Sequence, residues 1–191
     1  MHMKLLIPLL LLLFDSAVMR GQVYRWDYKI LIDTSGVRVY EKMAFKRTTI
    51  HTLTKITRPS DQERKNRRAE AEKRKVYFTA FVIGIGEEDD GDYHLILKDV
   101  TTDSTLIAEI PDAAQQKIKN KFPGLEHDYS TSRQFIEENI DSNPGSIHDL
   151  ATPVKVRVYG VVFFDKAAHG NGHAANGVEV HPVLKIKSID Q

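Results

Sequence analysis

The sequence predicts a mainly β protein, and three observations carry that expectation. From Val76 onward, Tyr77, Thr79, Phe81, Ile83 and Ile85 alternate with Phe78, Ala80, Val82 and Gly84, and both sets are mostly apolar, as in a strand covered on both faces. Two shorter apolar runs follow, 93–97 and 105–110, set apart by the turn dipeptide Asp90-Gly91 and the polar stretch 99–104, and Pro111 ends the second. Residues 111–153 lack strand alternation, after which two β-branched and aromatic runs, 154–164 and 178–189, complete the set. Three strands, a helical region and two strands is the connectivity of an OB-fold-like five-stranded Greek-key barrel with one or two helices between strands 3 and 4.

The chain opens Met1-His2-Met3-Lys4, runs apolar from Leu5 to Phe14 with only Pro8 interrupting, and continues Asp15-Ser16-Ala17. A cationic start before about ten apolar residues reads as a secretory signal peptide over 1–21, shorter than the ~20 residues of a membrane span. Cleavage between Ala17 and Gly21 is expected, giving a secreted or periplasmic protein with no stable membrane insertion once the leader is gone. Residues 22–57 read as an N-terminal β extension, with short strands at 24–28 and 37–40 around a turn at Ser35-Gly36. Residues 58–75 hold eight cations, four anions and almost nothing apolar. They read as a basic linker or exposed helix unable to bury a face, the alternative being an electrostatic handle for nucleic acid or anionic glycans. The barrel domain takes 76–191, with Phe81, Leu95, Leu97, Leu106, Val156, Val180 and Leu184 expected in its core and helix expected at 113–118 and 132–140.

Composition narrows the chemistry. Of 191 residues, 41% are hydrophobic and 28% charged, a globular balance that excludes wholesale disorder. The formal net charge is +1, and 25 cations against 25 anions remain without residues 1–21, so bulk charge does not drive nucleic-acid binding, although a local patch can. The absence of cysteine excludes disulfide scaffolds, cysteine-based zinc sites and cysteine nucleophiles. Gly84-Ile85-Gly86 lacks the third glycine and following helix of a dinucleotide site, and no phosphate loop is present.

Strand periodicity supplies the candidate site. If Leu95 and Leu97 face the core, His94 faces away; Leu106, Ala108 and Ile110 place Glu109 likewise, and Val178, Val180, Leu184 and Ile186 do so for Glu179 and His181. Two imidazoles and two carboxylates from three strands suit a divalent metal ion or a general acid/base pair. At least three of the four are expected on one connected outer surface with the glycine-rich loop of His169 and His173; those two histidines and Asn176 are further ligand-binding candidates. A binding module for oligonucleotides or oligosaccharides, by fold analogy, and a metal-dependent hydrolase such as a nuclease or phosphodiesterase both remain open, and no catalytic residue is assigned. The acidic turn 87–92 reads as a solvated hairpin tip, because EF-hand spacing is absent. Ser146, His148 and Asp149 have the residue types of a hydrolytic triad without the surroundings of a nucleophile elbow.

Glu88-Asp89-Asp90-Gly91-Asp92-Tyr93-His94-Leu95-Ile96-Leu97, Leu106-Ile107-Ala108-Glu109-Ile110-Pro111, and Gly160-Val161-Val162-Phe163-Phe164-Asp165 leading through His169-Gly170 to Asn176-Gly177-Val178-Glu179-Val180-His181-Pro182-Val183-Leu184 resemble an uncharacterised family of small exported bacterial proteins. The likeness covers roughly residues 72–187, and Tyr24-Arg25-Trp26-Asp27-Tyr28 shares it. The resemblance implies an OB-like barrel and export. It implies no catalytic assignment, although its motifs contain His94, Glu109, Glu179 and His181. Many members carry cysteines near the segment after the third strand, and their absence here implies that a disulfide there is dispensable.

Overall fold

The computed structural model describes residues 25–165 and 171–189. The leader over 1–21 and its cleavage region lie outside the described residues, as does His169. The protein is mixed α/β, with one six-stranded sheet and a few helices. The strands are β1 (Lys46–Arg47), β2 (Lys75–Glu87), β3 (Tyr93–Asp99), β4 (Thr105–Ile110), β5 (His148–Phe164) and β6 (Val178–Ser188), in the order β1-β2-β3-β4-β6-β5. β5, last in that order, also pairs antiparallel with β2, from Lys75↔Val161 to Ile85↔His148. The β4–β6 and β1–β2 pairs are parallel and the others antiparallel.

Two helices matter for the site, α1 (Thr34–Lys42) and α2 (Pro123–Asn139). In α2, Pro123 occupies the first turn and Leu125, Tyr129, Ser132 and Ile136 are buried at helical spacing. The helix expected at 113–118 is instead a series of turns, begun where the Asp112 carboxylate accepts a hydrogen bond from the Ala114 N–H. Of the strands expected at 24–28 and 37–40, the described residues 25–28 and 37–40 are not strands. Residues 25–29 form a helical turn and the second segment lies in α1. Asp33 caps α1 by accepting from the Gly36 N–H at 2.9 Å, and Gly36 and Val39 then fall on the buried face. The β-branched alternation of 37–40 loses to a cap and a three-residue spacing that satisfy the helix locally.

The segment 58–75 also departs from its expected exposure. Arg64, Arg68 and Glu72 are buried, because each charge has a partner inside the protein. Glu72 receives Arg25 at 2.5 Å and the Phe164 N–H at 3.2 Å, while Arg64 donates to the Phe164 carbonyl at 2.6 Å. Arg68 binds Asp33 at 3.0 Å and the Tyr28 carbonyl. This stretch thus clamps the N-terminal segment against the end of β5.

Two cores result, one on each side of part of the sheet. The first contains Phe78, Ala80 and Val82 of β2, Leu95 and Leu97 of β3, Leu106, Ala108 and Ile110 of β4, and Val156, Val158, Val178 and Val180. The second joins Ile30, Leu31, Val39, Leu125 and Tyr129 to Val161 and Leu184. Phe81, expected in the core, is only half-buried, because β2 turns Phe78, Ala80 and Val82 inward instead. Leu184 is buried, but in the second core. The cause is a double register shift: Tyr159 pairs with Lys185, Gly160 with Val183 and Val162 with Val180, so β6 carries two extra residues there, the first of them at Leu184. The shift needs Gly160, where a Cβ would meet the Val180 side chain and the Pro182 carbonyl oxygen, the latter at 2.6 Å.

Candidate metal centre

β3, β4 and β6 lie side by side, and register sets the candidate residues in one row. His94 pairs with Glu109 across β3 and β4; Ile107 and Ala108 of β4 pair with Glu179 and Val180 of β6. Cross-strand neighbours share a face, so imidazole, carboxylate and imidazole converge. Glu109 is the hub. One carboxylate oxygen, Oε1, lies 3.4 Å from His94 Nδ1; the other, Oε2, lies 2.5 Å from His181 Nδ1 and 3.2 Å from Lys29 Nζ. Two acidic residues of the hairpin complete the cluster: Glu88 Oε1 stands 2.7 Å from His94 Nδ1, and Asp92 Oδ2 stands 3.6 Å from His181 Nε2.

The face assignment from period two is correct for these side chains, but the expectation of an outer surface is not. His94, Glu109, Glu179 and His181 are all buried, with exposures of 4%, 3%, 3% and 0%. A second layer covers them. The helical turn at 25–29 brings Lys29 onto Glu109, and Gly172 packs its backbone against Ile96 and Ile107, with no space for a Cβ. His173 follows, its ring centroid 6.0 Å from that of His94. Glu179 sits beside the cluster, within electrostatic reach of Glu109, Asp165 and Lys29. Asn176 does other work: its amide donates to the carbonyls of Leu53 and Ile56 and its oxygen accepts from the Val178 N–H, which fastens the turn before β6.

Burial and mutual charge set the protonation of these groups. Burial pushes Asp92 up to about 8, helped by Asp90 and Glu109. Glu179 is raised well above the carboxylate range by burial and by Glu109 and Asp165. Burial opposes ionised Glu109 as well, yet His181, His94 and Lys29 hold it well below that range. For His94, burial works downward, but Glu109 and Glu88 prevail and raise it to about 9. His181 is lowered by burial despite Glu109, and is therefore neutral at pH 7.

Several of these atoms lack aligned hydrogen bonds. Among the described residues, both ring nitrogens of His181, Nδ1 of His94, Oδ2 of Asp92 and Oε2 of Glu179 are buried without a hydrogen-bond partner, although the first three have carboxylate oxygens close by. Asp92 Oδ1, by contrast, accepts from the Asp112 N–H and from Gln115. Two triads offer ligand atoms all within 4.8 Å of one another, Asp92/Glu109/His181 and Glu88/His94/Glu109, with Glu109 common to both. Beside the second lies a cavity of about 380 Å³ bounded by Glu88, His94, His148, Asp149, Asn171 and His173.

Sequence reasoning missed Lys29, Glu88 and Asp92. The signal for Glu88 and Asp92 was available, since five carboxylates one turn before His94 are more than a hairpin tip requires. Lys29 had none, because its position depends on tertiary packing of the N-terminal segment. Comparison with protein-family profiles, curated proteins and solved structures finds no match for the chain.

Proposed function

We propose that this chain is an exported OB-type module built around a divalent metal centre, with Asp92, Glu109 and His181 as the protein ligands. The observation that carries the reading is His181, fully buried between two carboxyl groups with neither ring nitrogen in an aligned hydrogen bond. A buried polar group without partners costs about 1–3 kcal/mol, and a metal ion accepting the imidazole lone pair removes that cost. Mixed imidazole and carboxylate ligation suits zinc, manganese or iron more than calcium. A bound cation also accounts for carboxyl groups held protonated without it, since Asp92 and Glu179 would exchange protons for the ion.

The OB-type assignment is supported by the order β2-β3-β4-β6-β5, the return pairing of β5 on β2, the parallel β4–β6 pair, and the position of α2 between β4 and β5. Export is supported by Lys4 and the apolar run from Leu5 to Phe14, and the family resemblance over roughly 72–187 points the same way. Among the described residues no helix is long and apolar enough to cross a membrane.

A second reading, hydrolysis of phosphoesters at this centre, is favoured by the adjoining cavity. Glu88 and His94 of the second triad line it with His173, and Glu109 joins that triad to the proposed ligands, so the cavity adjoins the cluster in which a bound metal would lower the pKa of water. The test is metal analysis of full-length protein purified without a histidine tag. A transition metal near one equivalent per chain is expected, lost in His181→Leu and Asp92→Asn variants that keep the wild-type circular dichroism. Protein that arrives metal-free and gains no thermal stability from about 100 μM zinc or manganese overturns the proposal.

A further inference from the structure

Toward the C-terminal end of β6, away from His181, the outer face of the sheet carries a different chemistry. Phe78 and Ala80 of β2, Val156 and Val158 of β5, and Ile186 of β6 point into the first core. Alternation therefore turns their neighbours outward. Register arranges these in rows across the strands. One row runs Arg47, Tyr77, Tyr159, Lys185; the next Thr79, Arg157, Lys187; the third Lys98, Phe81, Lys155. In the first and third rows the aromatic residues are flanked by cations. The Tyr77 and Tyr159 rings stack with centroids 5.4 Å apart and planes 18° apart, and Lys187 Nζ lies 6.0 Å from the Tyr159 centroid.

This concentration of cations stands out in a chain whose formal net charge is only +1. Asp103 neutralises Lys98 at 2.8 Å, and Asp128 lies within electrostatic reach of Lys185. Among the described residues, Arg47, Lys155, Arg157 and Lys187 make no salt bridge. Within the basic segment 58–75, Arg64 and Arg68 are engaged inside the protein and do not serve the same role. Next to Phe81 an open cavity of about 440 Å³ extends over Ile83, Lys98 and Pro153.

We propose that this face of β2, β5 and β6 is a platform for single-stranded nucleic acid, with phosphates on Arg47, Lys155, Arg157 and Lys187 and bases against Phe81 and the Tyr77–Tyr159 pair. Rings interleaved with cations provide stacking and charge neutralisation together, the two contributions that sequence-tolerant single-strand binding requires. A lipid surface is the poorer fit. Of the exposed large aliphatic residues among those described, Met43 and Ile147 stand outside these rows, and Val100 lines the cavity beside Phe81 as a single short side chain, less apolar surface than an interfacial helix inserts.

The experiment is fluorescence anisotropy of the full chain with a labelled oligothymidylate of about 20 nucleotides in EDTA, which separates this surface from the metal centre. Saturable binding that weakens steeply with salt is expected, with at least about a tenfold loss in a Lys155→Glu, Lys187→Glu variant. Phe81→Ser should weaken binding about threefold or more while leaving the salt slope unchanged. The control, Lys119→Glu with Lys121→Glu, should match wild type. Absence of binding overturns the proposal, and so does equal affinity for an abasic backbone of the same length. Binding to phosphatidylglycerol vesicles without binding to the oligonucleotide overturns it in favour of a lipid surface.

Discussion

Glu109 and Lys29 meet at 3.2 Å in a layer where the lysine side chain is 15% exposed and the carboxylate 5%. Such a pair is strongly destabilising to break from one side, because the remaining charge keeps its desolvation cost and loses its counter-charge. Glu109→Gln is therefore expected to cost about 3 kcal/mol in urea unfolding of the metal-free protein. Adding Lys29→Met to that variant removes the stranded ammonium and should recover a large part of the loss. Equal destabilisation in the single and double variants would show that the glutamate acts through His94 and His181 alone. The same residue explains why the cluster forms at all: its two oxygens face different strands, and each gathers its own imidazole.

At the scale of elements, the two-residue β1 and the first six residues of β5, 148–153, leave no signal, whereas the other strands of the sheet are legible in the sequence because alternation, turn dipeptides and Pro111 act locally. So is the side of the sheet on which His94 and Glu109 stand, since Leu95, Leu97, Leu106 and Ala108 point to the other side, into the first core. What escapes is the second layer. The segment Val37-Arg38-Val39-Tyr40 looks like a strand until Asp33 caps it as a helix, and 58–75 looks solvated until each buried charge has a partner. Neither outcome is periodic, so neither leaves a pattern to read. In β6, two extra residues, one on each side of the Gly160–Val183 pair, put Leu184 in the opposite core, a shift that counting by twos cannot foresee. The clamp yields its own prediction. Arg68→Ala removes the partner of Asp33 and of the Tyr28 carbonyl, so it should lower stability by about 2–4 kcal/mol. Limited proteolysis should then cut first within 25–42, whereas unchanged cleavage would show that apolar packing of Ile30 and Leu31 alone holds the segment.

For the whole molecule, the protonation of the cluster makes stability a function of pH. In the metal-free protein Asp92 titrates near 8 against 3.8 for the free group, and His94 near 9 against 6.5. Both bind their protons more tightly folded than unfolded. The Asp92 contribution is complete below 3.8 and declines as pH rises toward about 8; that of His94 is complete below 6.5 and is lost as pH rises toward about 9. Glu109 acts in the opposite sense, since its depressed pKa contributes above the ordinary carboxylate range and is lost in acid. These three groups together place the stability maximum of the metal-free protein near the ordinary carboxylate range, with a decline above it that steepens at 6.5, where His94 joins Asp92, and ends at about 9. A divalent ion takes the place of the protons, and deprotonated ligands bind it better, so its effect should grow over the same interval. Thermal unfolding in EDTA is thus expected to show a melting temperature that falls with rising pH, and zinc or manganese should restore it strongly at pH 8 and only weakly at pH 5. A melting temperature that rises across this interval in EDTA would mean that the cluster is a closed polar network whose hydrogen bonds form best with its carboxyl groups ionised, and the metal assignment would lose its main support.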